Sequence, residues 1–114
     1  MAAQSLYATT ARLTFCGHVH RPQVYTVGVA GGVTEFTPIT GSPIPLLPGR
    51  RWLAVLGSVG QPRDGIASAS YAILDTERHE LTYYRAPYDV EEAAARIRNK
   101  GLPPWLAERL AVGR

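Results

Sequence analysis

His18 and His20, two of the three histidines in the chain, stand two residues apart in Phe15-Cys16-Gly17-His18-Val19-His20-Arg21-Pro22. In extended backbone, residues i and i+2 project to the same side, so both imidazoles can face one hollow while Val19 turns away. Neutral imidazole is a common ligand for zinc, manganese, iron and nickel. The pairing therefore reads as one wall of a metal site, against the plainer alternative of two histidines sharing a hydrogen-bonded strand end. Gly17 lets the backbone leave the strand with an unusual dihedral or approach an ion closely. Pro22 cannot donate to a sheet ladder, so the strand is expected to stop near it. A tight site needs more than two protein ligands, and apart from Cys16 no other His, Cys or Asp stands close by in the sequence.

The elements that must hold this pair can be read from periodicity. Ala2–Ala11 is alanine-rich, like the end of a helix, and Arg12–Cys16 alternates as a strand. Gln23–Val29 and Val33–Phe36 flank Ala30-Gly31-Gly32, which predicts a hairpin. Residues 37–49 carry Pro38, Pro43, Pro45 and Pro48 and read as a loop of rigid turns. Arg51–Leu56 is a third strand. Gly57–Gly65 is a glycine-rich turn, read first as a tight crossover. Its Ser58, Gln61 and Arg63 are candidates for contacts beside a metal or on the substrate side, Arg63 foremost because guanidinium matches phosphate oxygens. Ser68–Asp75 and Glu80–Ala86 are strands around the turn that holds His79, to which no metal role is given. A helix starts at Asp89, with Glu92 placed to complete a capping box, and Asn99-Lys100-Gly101 stops it. Pro103-Pro104 opens a second helix, with Leu106 and Leu110 facing inward and Trp105 as an anchor.

Composition excludes several classes. The 114 residues, 46% hydrophobic and 18% charged, belong to a globular chain of single-domain size. One cysteine rules out an internal disulfide and suits a reducing cytoplasm. Cys16 reads as a small buried strand residue rather than a nucleophile. No apolar run approaches a membrane span, and residues 1–11 lack the basic and apolar regions of a signal peptide. The net charge of +3 favours anionic substrates, but the basic residues are scattered and give no sign of a specific nucleic-acid surface.

Gly17-His18-Val19-His20-Arg21-Pro22 resembles the Gly-His-x-His motif that closes the sequence of calcineurin-like metallophosphoesterases. Gly57-Ser58-Val59-Gly60-Gln61-Pro62-Arg63-Asp64, followed by Ala69–Asp75, resembles the glycine-rich turn and strand found downstream of that motif. The tail, Tyr88-Asp89, a helix, Gly101-Leu102-Pro103 and Arg109-Leu110, is similar in order and spacing. The resemblance implies an α+β fold: the C-terminal half of a four-layer α/β/β/α sandwich with mixed, mainly antiparallel strands and two C-terminal helices. It implies hydrolysis of phosphate esters at a pair of divalent metal ions (Mn, Fe, Zn or Ni), with His18 on one and His20 on the other, and Gly17 and Arg21 beside them. The family's earlier motifs, Asp-x-His and Gly-Asn-His-Glu among them, are absent here. Residues 1–114 are therefore expected to be one incomplete domain, inactive alone, that needs a complementing N-terminal half or self-association. The alternative is a non-catalytic interaction module that kept the scaffold. A third reading is a small mononuclear metal-binding protein.

Overall fold

The computed structural model describes residues 2–114; Met1, the first residue of the stretch read as lacking signal-peptide regions, lies outside them. The chain runs α1 (Ala2–Tyr7), β1 (Leu13–Cys16), β2 (Pro22–Val27), β3 (Val33–Phe36), β4 (Ile44–Pro45), β5 (Arg51–Leu56), β6 (Ala69–Asp75), β7 (Glu80–Ala86), α2 (Val90–Asn99) and α3 (Pro104–Val112). A first sheet has the order β1-β5-β2-β3 and a second the order β4-β7-β6. β1 and β5 are parallel, whereas the pairings of β2 with β5 and β3, and of β7 with β4 and β6, are antiparallel. No described helix is long and apolar enough to cross a membrane.

Strand alternation divides the apolar residues between two faces. On the inner face of the first sheet, Val24, Trp52 and Ala54 meet Leu81 and Tyr83 of the second, with Ile44 and Leu46 closing the core. On its outer face, Val27 and Leu53 receive Leu6 of α1. Arg51 donates to the carbonyls of Leu6 and Thr9 at 2.7 and 2.6 Å, satisfying backbone acceptors at and just beyond the α1 C-terminus. The Tyr83 hydroxyl crosses the core to donate to the Val55 carbonyl at 2.9 Å. That bond ties the sheets together, and burial pushes the phenol pKa up. Tyr84, on the opposite face, stacks on Tyr71 with ring centroids 5.5 Å apart.

Several local expectations are corrected. Pro22 opens β2 instead of ending the preceding strand, a position where its missing N–H does no harm to the ladder. The proline-rich segment contains β4, short enough to tolerate Pro45 at a sheet edge. Asp89 caps α2 by accepting from the Glu92 N–H at 3.0 Å, but the Glu92 carboxylate pairs with Arg96 instead of reaching back. Trp105 is 57% exposed beneath the Arg109 guanidinium, so Ala107 and Leu110 provide the buried contacts of α3. Cys16 is exposed; local desolvation raises its thiol pKa, which lowers the thiolate fraction.

α2 and α3 pack against each other, and Gly113 anchors the end of α3 to the loop that follows β5. Its carbonyl accepts from the Gly65 N–H at 2.9 Å. Its φ is +67°, and an added Cβ would lie 2.6 Å from the Ile66 nitrogen. Gly101 also has a positive φ, +72°, but opens onto free space. Gly113→Ala is expected to lower stability by about 3 kcal/mol, from left-handed strain plus overpacking, and Gly101→Ala by only about 1 kcal/mol. Urea denaturation of the two variants checks this.

Candidate metal centre

β1 and β5 run parallel with Cys16 opposite Val55, so residues 17–21 and 57–65 leave the sheet at the same end. The carboxyl ends of parallel strands are where open α/β sheets commonly place ligands. β1 stops at Cys16, and His18 and His20 lie in the loop beyond it with φ of 77° and 63°. The extended geometry expected for the pair is thus replaced by two left-handed residues flanking Val19. Histidine is among the few side chains enriched in that region, yet each such residue still costs roughly 1–2 kcal/mol. Strain of this kind gathers at functional sites. Gly17 has no positive φ, and a Cβ there would meet nothing within 4 Å, so the unusual dihedrals fall on the histidines and not on the glycine before them.

His20 is half-buried and held twice by the second loop. Its Nδ1 donates to the Gln61 carbonyl at 2.8 Å, and its own carbonyl accepts from the Arg63 N–H at 3.0 Å. A carbonyl can only accept, so Nδ1 carries a proton, and in the neutral ring the lone pair is on Nε2. This is the arrangement in which a histidine binds a metal while its other nitrogen is oriented by the backbone. His18 is exposed.

The loop that grips His20 is itself pinned. Gly57 sits at φ +83°, where a Cβ would come 2.8 Å from the Ser70 hydroxyl and 3.0 Å from Pro22. The Ser58 hydroxyl accepts from the Gln61 N–H at 2.9 Å, and the Ser58 carbonyl accepts from the Ser70 N–H at 2.9 Å. Arg63 donates to the Gln61 side-chain oxygen at 2.6 Å. The N–H groups of Gln61, Arg63 and Gly65 all have partners within the chain, so these three do not form an anion cradle. Next to them a partly buried ion pair, Asp64 with Arg85, joins the loop to β7, and Arg85 also donates to the Ser68 carbonyl at 2.9 Å. Burial lowers the Arg85 pKa. Sequence reasoning missed this pair because nothing in the spacing of residues 64 and 85 links them; only the β6–β7 register brings Arg85 opposite Ser70, close to the loop.

Ser58, Gln61 and Arg63 are thus gathered against His20. Arg21 is exposed and lines a separate recess of about 150 Å³ on the outer face of the first sheet, with Val19, Gln23, Tyr25 and Val55. His79 lies at the other end of the sandwich, on a recess of about 250 Å³ shared with Leu13, Trp52 and Leu74. The donor set fits one wall of a metal site and no more, for no group of three or more His, Cys, Asp or Glu capable of holding an ion exists among the described residues.

No family model matches the chain. Along 99% of its length it superposes on a metallophosphoesterase from Sphaerobacter thermophilus, with a TM-score of 0.87 and 34% identity. The chain has the fold of the corresponding part of that metallophosphoesterase. The α+β architecture expected from the resemblance, with mixed sheets and two C-terminal helices, is therefore observed. An uncharacterized protein of Methanocaldococcus jannaschii is 46% identical over 65 residues, which is 57% of this chain. The chain spans 46% of the solved protein, and the matched segment 27% of the archaeal one.

Two measurements test the site. In the ¹⁵N spectrum of the His20 ring, the wild-type protein is expected to show the Nδ1-protonated tautomer. Gly57→Ala, which forces the loop off Ser70, is expected to restore the mixture of tautomers typical of a free imidazole. Arg85→Met is expected to lower stability by about 3 kcal/mol by stranding the Asp64 carboxylate, and adding Asp64→Leu to recover most of the loss. Denaturation of the single and double variants supplies the numbers.

Proposed function

We propose that this chain is the histidine-bearing part of a metal-dependent phosphoesterase, acting on phosphate esters in the cytoplasm once the missing ligands are supplied from outside residues 1–114. The observation that carries the proposal is His20: its ring is fixed through Nδ1 to Gln61, which leaves Nε2 free in a strained loop beside His18. The fold shared with a solved metallophosphoesterase gives that loop its context.

His18 and His20 are the residues that would hold the ions, one on each of two divalent metals (Mn, Fe, Zn or Ni). Bound metals of this kind polarise phosphoryl oxygens and offset the charge that develops during in-line displacement. This chain's own part is to present neutral imidazoles at fixed positions. Gln61 orients His20, Arg63 holds the Gln61 side chain, and Ser58 closes the turn. Gly17 and Arg21 flank the histidines, and Arg21 is free to meet a substrate anion. A complementing N-terminal half, or a second copy of the chain, supplies the carboxylates that a two-metal site requires.

A second reading has one observation in its favour. Two imidazoles without a third ligand among the described residues also suit a scaffold that binds a partner without chemistry. Calorimetry with Mn²⁺ and Zn²⁺ separates the two. The chain alone is expected to bind metal weakly and show no turnover of p-nitrophenyl phosphate esters, and the complemented protein to do both. There His18→Ala and His20→Ala are each expected to lower metal affinity by more than about 100-fold, beyond what losing an outer partner of a ligand does. Unchanged affinity and turnover in both variants would leave only the interaction module.

A further inference from the structure

The end of the sandwich away from the histidine loop gathers a second set of cationic side chains. Arg12 stands just before β1, residues 45–48 run on from β4, and Arg78 and His79 belong to the turn between β6 and β7. Together they line a recess of about 350 Å³, whose walls are Pro45, Leu46, Leu47 and Pro48. Arg12, Arg78 and His79 supply all of its polar side chains, and no carboxylate is among the lining residues. A hollow of this size, mostly apolar with a few polar groups at set positions, has the build of a small-molecule site.

The three cationic residues are fixed through their backbones while their heads stay free. The Arg12 carbonyl accepts from the Trp52 N–H, and the His79 carbonyl accepts from the Leu46 N–H, both at 2.8 Å. The Arg78 N–H donates to Asp75 Oδ1 at 2.9 Å. Among the described residues neither the Arg12 guanidinium nor the His79 ring has a hydrogen-bond or ion-pair partner. Arg78 has only a long, exposed pair with Asp75 at 4.0 Å, a contact of the kind that contributes little. Guanidinium forks match the oxygens of phosphate and carboxylate groups, and anchored backbones reduce the ordering cost of meeting such an anion.

Arg12, Leu46 and His79 also line the neighbouring recess of about 250 Å³, where Leu13, Trp52 and Leu74 add apolar walls. The two hollows therefore share part of their lining. Trp52 is 7% exposed, and among the described residues its buried indole N–H has no acceptor. A buried donor left without a partner calls for an acceptor from outside the chain.

From these features we infer that this end of the sandwich binds a small oxyanion with an apolar body. The phosphate-like or carboxylate head meets Arg12, Arg78 and a ring N–H of His79. The body lies against Leu46 and Leu13, and an acceptor on it takes the Trp52 N–H. A bare inorganic anion uses only the cationic groups, and an uncharged apolar molecule only the walls; the arrangement selects a ligand that has both. The site shares no residue with the histidine loop and goes beyond the phosphoesterase reading.

Titration of the ¹⁵N-labelled full chain with 4-acetylphenylphosphonate, in the presence of EDTA, tests the site. The chain has two tryptophans, so each indole N–H gives its own signal. The Trp52 signal is expected to move and saturate, while that of Trp105 on α3 stays in place. Inorganic phosphate and acetophenone, the head and the body alone, are each expected to bind at least about tenfold more weakly. Arg12→Gln and Arg78→Gln are each expected to weaken binding about tenfold, the scale of one charge-assisted hydrogen bond. The Arg78 side chain is 77% exposed, so its variant keeps the fold and a loss there reports on the ligand. His20→Ala is expected to leave the affinity unchanged. The inference is overturned by the lack of a saturable Trp52 shift, by unchanged affinity in Arg78→Gln, or by phosphate binding as tightly as the phosphonate. Loss of binding in His20→Ala would place the anion at the histidine loop and overturn it too. Because EDTA removes metal throughout, the phosphoesterase reading fails or holds separately, on the calorimetry and turnover of the complemented protein.

Discussion

The parallel register of β1 on β5 is the constraint from which the rest of the molecule follows. Cys16 opposite Val55 brings two loops to the same end of the sheet at the same height, one with His18 and His20, the other with Gln61 and Arg63. Side-chain direction in a strand has period two, so a slip of one residue would turn Leu13 and Phe15 to the α1 face and Thr14 and Cys16 to the core. It would also part His20 from the carbonyl that fixes its ring. The core guards that register: β5 is buried from Trp52 to Val55, and Tyr83 reaches across to bond to it.

Two kinds of rigidity meet at His20. The sheet supplies the first, through strand pairing. The loop after β5 supplies the second, and it is held at four separate points: Gly57 against Ser70 and Pro22, Asp64 on Arg85, Gly65 on Gly113, and the turn closed by Ser58. The distant helices thus bear on the loop through Gly113, which caps α3, accepts from Gly65 and comes close to Ile66. An imidazole held by so many bonds keeps one tautomer, which is what a metal ligand requires before any ion arrives.

The sequence by itself determined every strand but β4, the hairpin, the two C-terminal helices and the histidine pair, because each rests on local rules: alternation of period two, glycine in the turn, Asp89 as a cap. It also pointed to Ser58, Gln61 and Arg63, though through a resemblance and not through geometry. Tertiary structure decided what local rules cannot reach. Whether His18 and His20 continue the strand depended on where β5 stops pairing with β1, and the answer was a left-handed loop. Cys16 read as buried and Trp105 as an anchor from their residue types, but burial depends on which elements arrive to cover them, and none does. The Asp64–Arg85 pair and the contact of Gly113 with Ile66 join residues more than twenty positions apart, a separation over which no periodicity carries information. Where a side chain's chemistry rests on such distant contacts, only the folded chain specifies it.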